Sequence, residues 1–468
     1  LCTTVIVGKK ATIDGSTLNA RNVDSESPID EVKFIVVPEE NNQTVDYTSV
    51  VTGVTIPLPS RRLRHQLVPN IKLAEEGEFG ESGINSMNVG MSATESIYGN
   101  AQVLAIDPYV ADGIGEDAMV SVVLPYITTA REGVVYLGEL IEKYGSSEGN
   151  GVIFSDHEDV WYMEIPCGHH WIATKIPEDH CCVIANQVAH QAIDFNNTDN
   201  VLYSNGIQEF VERNSLNPDS DEWNFRHIFG TNTSLDRRYN TPRVWYGQCY
   251  LGHKTENPSS NDLPFTFKPN RLLTIEDVGY VLSSHYNDTI YDQLGDGSLA
   301  EKTSFRPIAM NRTAQSHIIQ IRNHVSEDIS GVLWLNSAPT AFNPYVPFYA
   351  NADDTSTYYN QTSLSFNFGE AYWRARMIAV LVEQNYGETH TANNAYLTEC
   401  QRQANAFITE TDKLSISYKN QELTRYLTKR NQLLTDKIKA LTLAHIEELT
   451  NGNLGLSALT YTRDKNQL

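Results

Sequence analysis

Apolar and β-branched positions open the chain as a short extended run, Thr3-Thr4-Val5-Ile6-Val7, and Thr17 to Asp24 follows as a second. Between them lies Asp14-Gly15-Ser16, a strong turn signal, because Gly tolerates positive φ and Asp bonds back to the backbone. A hairpin is therefore predicted. Further short runs predict strands at 34–38, 47–57, 89–96, 151–155, 160–165, 171–173, 182–187, 305–311, 313–322 and 331–335. Strands at this density make antiparallel sheet.

Helical spacing governs other stretches. Residues 116–145 carry Leu124, Ile127, Leu137, Leu140 and Ile141 on one face, with Arg131-Glu132-Gly133 expected to interrupt the helix. Pro242 sets Arg243 in a first helical turn, and Thr274-Ile275-Glu276-Asp277 reads as another helix start. Residues 60–65 and 75–78 read as loops, as does the aromatic, Pro-spaced stretch 337–349, while 195–240 reads as loops with short helices. From Gly369 onward the composition turns helical, with helices expected over 371–383, 392–411 and 422–449. Leu423, Leu427, Leu433, Leu434, Ile438, Leu441 and Ile446 give the last one an apolar stripe, the mark of packing or of an oligomer contact. The organisation expected is a mixed α and β body over 1–368 and a helical extension over 369–468.

Charge narrows the function classes. Fifty-eight acidic against 35 basic residues give a net charge of −23. That excludes nucleic acid and anionic membrane surfaces as expected partners. No apolar run reaches the length of about 18 residues that a membrane-spanning helix needs, and no basic start leading into an apolar stretch marks a signal peptide. Six cysteines in 468 residues form no dense disulfide framework, so a reducing, cytoplasmic location is expected.

The hairpin carries the candidate chemistry, since it returns Arg21 and Asp24 towards Cys2. A guanidinium stabilises a thiolate. If Cys2 heads the mature chain, its own α-amine, with an ordinary pKa of about 8, is suited to take the thiol proton. Asp24 would then hold the ammonium. The same residues equally describe a buried cysteine beside an Arg–Asp pair. Cys167-Gly168-His169-His170 and His180-Cys181-Cys182 hold metal-ligand residue types but lack paired Cys-x-x-Cys knuckles, and strand neighbours point to opposite faces. They read as ordinary strand residues, and no metal is expected. Asn186 ends an apolar strand, where an amide either faces an oxyanion or caps a turn.

Cys2-Thr3-Thr4, the Asp14-Gly15-Ser16 turn and Ala20-Arg21-Asn22-Val23-Asp24 together resemble the opening of the C69-type dipeptidases. Those are cysteine N-terminal-nucleophile (Ntn) hydrolases related to penicillin V acylases and bile salt hydrolases. More loosely, the resemblance runs to about residue 350. It implies an α+β fold, an αββα sandwich of two mostly antiparallel sheets, with 1–368 the catalytic domain and the helical extension packed on it. It implies a peptidase that cleaves dipeptides with Cys2 as nucleophile, Arg21 supporting the thiolate, and Asp24 and Arg243 setting the electrostatics. Asn186 would face the oxyanion, although Ala185 stands where those relatives carry Thr. Thr94 and Glu95 would contact substrate, Glu95 meeting the ammonium of a peptide. Neither metal nor cofactor is implied, and a homo-oligomer is expected. Two alternatives remain: an acylase-type amidase acting on an N-acyl substrate, or a non-catalytic interaction protein that retains the fold and has an unreactive Cys2. Leu1 departs from the pattern. It makes the Cys2 nitrogen an amide, which accepts no proton, so the active form is expected to begin at Cys2.

Overall fold

The computed structural model describes residues 1–457 and 459, so the end of the expected extension, 458 and 460–468, lies outside the described residues. The first hairpin forms as its sequence dictates. Gly15 sits at φ +79° and the Ser16 amide donates to Asp14 Oδ1 at 3.1 Å, which closes the turn. Thr3–Val7 then pairs antiparallel with Thr17–Asp24, with Thr4 opposite Arg21. Every residue of both strands is buried. Continuous burial means that both faces of the hairpin are covered.

The hairpin lies inside a six-stranded antiparallel sheet ordered Cys181–Ile184, Thr3–Val7, Thr17–Asp24, Thr313–Ile321, Gly331–Ser337 and Val346–Tyr349. A second, eight-stranded antiparallel sheet runs Val201–Tyr203, Ile172–Lys175, Val160–Ile165, Asn150–Ser155, Gly90–Ser96, Gly80–Asn85, His65–Pro69 and Ile35–Val37. The sheets face each other, with Thr17–Asp24 lying against Gly90–Ser96 and Asn150–Ser155. Helices Glu116–Val123 and Ala130–Tyr144 cover the outer face of the larger sheet, and Thr241–Leu251 and Ile275–Ser283 cover the smaller one. The result is helix, sheet, sheet, helix. Three helices, Ala371–Glu383, Tyr386–Ser415 and Asn420–Leu454, pack on one another and on the Gly331–Ser337 and Val346–Tyr349 strands. One apolar cluster joins Val5, Ile318 and Leu333 of the sheet to Leu427 and Ile438 of the last helix.

Local departures have local causes. The break in 116–145 falls at 127–129, after a 3-10 turn at Leu124–Tyr126 that contains Pro125. Thr129 caps the next helix, accepting from the Glu132 amide at 3.1 Å. Gly133 lies inside that helix, where a Cβ would meet the Phe154 ring at 2.4 Å; it serves close packing, not interruption. Residues 305–311 are not a strand. Pro307 lacks a donor there, and Arg306 turns inward to 7% exposure. Conversely, Val346–Tyr349 within the aromatic loop is an edge strand, and His65 opens a strand instead of closing a loop.

Candidate active site

Cys2 stands one residue before the first strand, 2% exposed, at the floor of a cavity of about 410 Å3. Arg21 reaches it from the adjacent strand. Its Nη1 donates to Cys2 Sγ at 3.0 Å and to the Thr94 carbonyl at 2.6 Å. The same nitrogen lies 3.3 Å from Glu81 Oε2, and Nη2 donates to the Glu81 carbonyl at 2.8 Å. Nε donates to Ser92 Oγ at 2.8 Å, and that hydroxyl meets His317 Nε2 at 2.8 Å. His317 Nδ1 faces Gln315 Oε1, an acceptor, so Nδ1 carries the hydrogen and Nε2 accepts from Ser92. Burial, aided by Arg21, holds His317 well below the usual imidazole range, hence neutral.

Burial pushes the Cys2 thiol up to about 11, against the opposing pull of the terminal amine and Arg21. Burial also disfavours the Arg21 charge, but Cys2, Glu81 and Glu116 outweigh it and raise the guanidinium's pKa.

Asp24 occupies the end of the second strand. Its carboxylate is taken by Arg306 and by Thr313 Oγ1, while its backbone carbonyl accepts from the Leu1 amine at 2.8 Å. Arg306 also donates to the Leu1 carbonyl at 2.8 Å. Arg306 had no signal in the sequence, because its neighbours Phe305 and Pro307–Ala309 read as an apolar run.

Arg243 lies in the first turn of the Thr241–Leu251 helix, fully buried. Its Nη1 donates to the Cys2 carbonyl and, at 2.9 Å, to Thr3 Oγ1. Nη2 donates to Asn186 Oδ1 at 2.8 Å and Asn240 Oδ1 at 2.7 Å, and Nε donates to the Tyr239 carbonyl at 2.7 Å. Burial, with Arg306 adding to it, lowers its pKa to about 10.

Asn186 and Glu95 lie beneath this cavity, not in its wall. Both Asn186 amide hydrogens are committed, to Glu95 Oε1 at 3.1 Å and to the Ser96 carbonyl at 2.9 Å. An oxyanion receives one only by displacing a present partner. Glu95 Oε2 accepts from Thr4 Oγ1 at 2.7 Å, so both of its oxygens are engaged and an ammonium finds neither free. Burial lifts its carboxyl to about 7 despite Arg243 and Thr4. Thr94 contributes its backbone: the carbonyl to Arg21, the amide to Glu116 Oε1 at 3.2 Å. Among the carboxylates that do line the cavity are Glu81, Glu116 and Glu148, which the sequence does not mark out from other surface acids. Elsewhere, His169 pairs with Asp107 at 2.7 Å and His170 with Ser204 at 2.9 Å. All six cysteines are free thiols.

Stacked antiparallel sheets between helical layers make an αββα sandwich, and a cysteine leads its first strand onto a cavity. Comparison with known proteins gives the family. The model of peptidase family C69 matches residues 1–399. A "probable dipeptidase" of Latilactobacillus sakei is 47% identical over 99% of this chain and 98% of its own length. Dipeptidase A of Lactobacillus helveticus is 38% identical over 98% of both chains. The chain belongs to peptidase family C69. Among solved structures, a mutant conjugated bile acid hydrolase from Clostridium perfringens aligns over 72% of this chain and 89% of its own, at 12% identity and a TM-score of 0.30. The fold does not rest on that likeness, since the strand order already defines it. No described helix is long and apolar enough to cross a membrane.

Proposed function

We propose that this peptidase is a cysteine dipeptidase whose nucleophile is Cys2. The observation that carries the reading is the 3.0 Å contact of Arg21 Nη1 with Cys2 Sγ at the floor of the acidic cavity. In a chain beginning at Cys2, the free α-amine takes the thiol proton as sulfur attacks the peptide carbonyl. The C–N bond of the tetrahedral adduct then breaks, the proton passes to the leaving amine, and a thioester remains. Water adds to the thioester with the same amine as base, releasing the first amino acid and restoring the thiol. Arg21 holds the sulfur, while Arg243 and Asp24, the latter through Arg306, fix the backbone around Cys2. Asn186 would serve the oxyanion by releasing an amide hydrogen from Glu95 or from the Ser96 carbonyl, and Thr94 supports the site through the carbonyl that holds Arg21.

We read 1–368 as the catalytic unit, the helices from 369 as packed on it, and the location as cytoplasmic. Exposed Leu414, Ile416 and Leu433 support a homo-oligomer, which sedimentation velocity tests directly.

The central test is hydrolysis of a simple dipeptide by Cys2→Ala and Cys2→Ser variants. Cys2→Ala is expected to be inactive with unchanged circular dichroism, and Cys2→Ser to keep a trace at most, because a hydroxyl is the poorer nucleophile near neutral pH. Turnover in Cys2→Ala equal to wild type refutes the reading.

A further inference from the structure

The cavity above Cys2 is strongly acidic. Seven Asp and Glu residues line it, and among the described residues no Lys or Arg does. Glu81 sits against the Arg21 nitrogen that touches the nucleophile, so thiol and carboxylate flank one guanidinium. Glu116 Oε1 accepts from the Thr94 amide, and Glu148 Oε1 accepts from the Glu116 amide at 2.9 Å. The second oxygen of each of these three carboxylates takes no hydrogen bond from any described residue. Asn70 lines the same cavity, is 6% exposed, and leaves its Oδ1 unpartnered while its amide nitrogen serves Glu76. A buried acceptor without a donor calls for one from a ligand. The acidic crowding is compensated only in part: Asp24 pairs with Arg306, Asp30 with Lys72 at 3.2 Å and Glu81 with Arg21 at 3.3 Å, while among the described residues Glu26, Glu76, Glu116 and Glu148 have no basic partner. Burial first, then the Glu116 charge, raises Glu81 well above the carboxylate range, and burial and Glu116 raise Glu148 as well. An amine already present responds accordingly. Burial opposes the charge of the Leu1 ammonium, yet Cys2, Asp24 and Glu116 outweigh burial and raise its pKa.

We propose that Glu81 and Glu116, backed by Glu148, bind the free α-ammonium of the substrate's first residue and so make an unblocked N-terminus the specificity determinant of the site. This rests on the dipeptidase reading and deepens it. The geometry suits the chemistry. The ammonium of a dipeptide is two bonds from the scissile carbonyl carbon, and that carbon must approach Sγ to about 3–3.5 Å. Carboxylates beside the Arg21 nitrogen that holds the sulfur therefore meet the ammonium while the carbonyl meets the thiol. An N-acyl substrate brings no charge and leaves the crowded carboxylates unpaired, which a site built for polar recognition rejects strongly. Glu95, with both oxygens engaged below the floor, takes no part in this contact.

The test is steady-state kinetics of full-length wild type, Glu116→Gln and Glu148→Gln on alanyl-alanine and on its deamino analogue, propionyl-alanine. Either Gln can keep the acceptor oxygen that its backbone partner uses, which protects the fold. Wild type is expected to prefer the free amine by roughly 100-fold or more in kcat/KM. Glu116→Gln is expected to lose roughly 10- to 100-fold on the dipeptide, chiefly in KM, and little on the analogue. Its rate of iodoacetamide labelling at Cys2 should stay close to wild type. Equal losses on both substrates, or a wild type indifferent to the ammonium, overturn the proposal while leaving the dipeptidase intact. A wild type that hydrolyses neither substrate overturns the dipeptidase reading itself, and this proposal with it.

Discussion

Replacing Glu95 by Gln should change how stability depends on pH, and the size of the change follows from the site. Glu95 is fully buried between Thr4, Asn186 and Arg243, and its carboxyl is lifted from the usual 4.5 to about 7. A carboxyl raised on folding binds its proton more tightly in the native state. Between pH 4.5 and 7 the native chain thus carries more proton at this site than the unfolded chain does. Stability then falls as pH rises through that window, and the loss is complete above pH 7. A rise from 4.5 to about 7 corresponds to about 3 kcal/mol. Gln has the shape of the protonated acid and does not titrate, so Glu95→Gln lacks this contribution. Urea melts of both proteins at half-unit steps from pH 4.5 to 8 read the difference. Glu95→Gln should gain on wild type as pH rises, by about 3 kcal/mol in total. Because the quantity is a difference between two proteins, other titrating groups largely cancel. Two curves that run parallel from pH 4.5 to 8 would refute the argument and mean that Glu95 keeps an ordinary pKa in the fold.

Arg306→Met should destabilise the protein by about 3–5 kcal/mol in urea, since it strands the buried Asp24 carboxylate, and Asp24→Asn in the same chain should restore much of the loss; a single variant as stable as wild type would deny the pair its structural role. Asn186→Ala should lower kcat by roughly 100-fold or more while KM moves less, because on the proposed reading it removes the oxyanion's amide donor together with an acceptor of Arg243; wild-type kcat would confine Asn186 to a structural turn. Intact-mass measurement on samples sorted by activity should find Cys2 first in the active species, and full activity with any residue ahead of Cys2 would require a different base.

Much of the fold was legible because its strands alternate with strong turn signals. The first hairpin follows from β-branched residues around Asp14-Gly15-Ser16, and its register alone brings Arg21 to Cys2. Interrupted elements were harder to read. Gly133 looks like a helix breaker in one dimension; only the neighbouring sheet shows the Phe154 ring that requires a glycine. Arg306 was hidden for the same reason. A run of Phe, Pro, Ile and Ala suggests a strand, and what turns Arg306 inward is Asp24, 282 positions away. The cavity carboxylates come from a strand (Glu81), the start of a helix (Glu116) and a loop (Glu148), separated by stretches with no shared motif. Each resembles an ordinary surface acid until the sandwich closes. The mismatch at Glu95 has a simple cause: the sequence places it beside the site, but only the packing shows that Thr4 and Asn186 already occupy it.

The numbers at Cys2 also constrain how the site must work. With burial pushing the thiol up to about 11, Cys2 is overwhelmingly protonated at neutral pH. On the proposed reading, Arg21 does not maintain a standing thiolate but lowers the energy of one formed on demand. A base must take the proton within hydrogen-bond reach as attack proceeds. Glu81 lies across the Arg21 nitrogen from the sulfur, and its raised pKa reflects carboxylate crowding and burial. His317 is neutral but stands behind Arg21 and Ser92, three contacts from the thiol, with both ring nitrogens engaged. The Cys2 nitrogen is joined to the same residue as the thiol and needs no conformational search to reach it. An ammonium formed there lies beside the acidic cavity, where Asp24 and Glu116 already raise the pKa of the amine of Leu1. If both proposals hold, one acidic environment serves two cations, the nucleophile's protonated amine during attack and the substrate's ammonium on binding. That shared use accounts for carboxylate crowding that would otherwise only destabilise the fold.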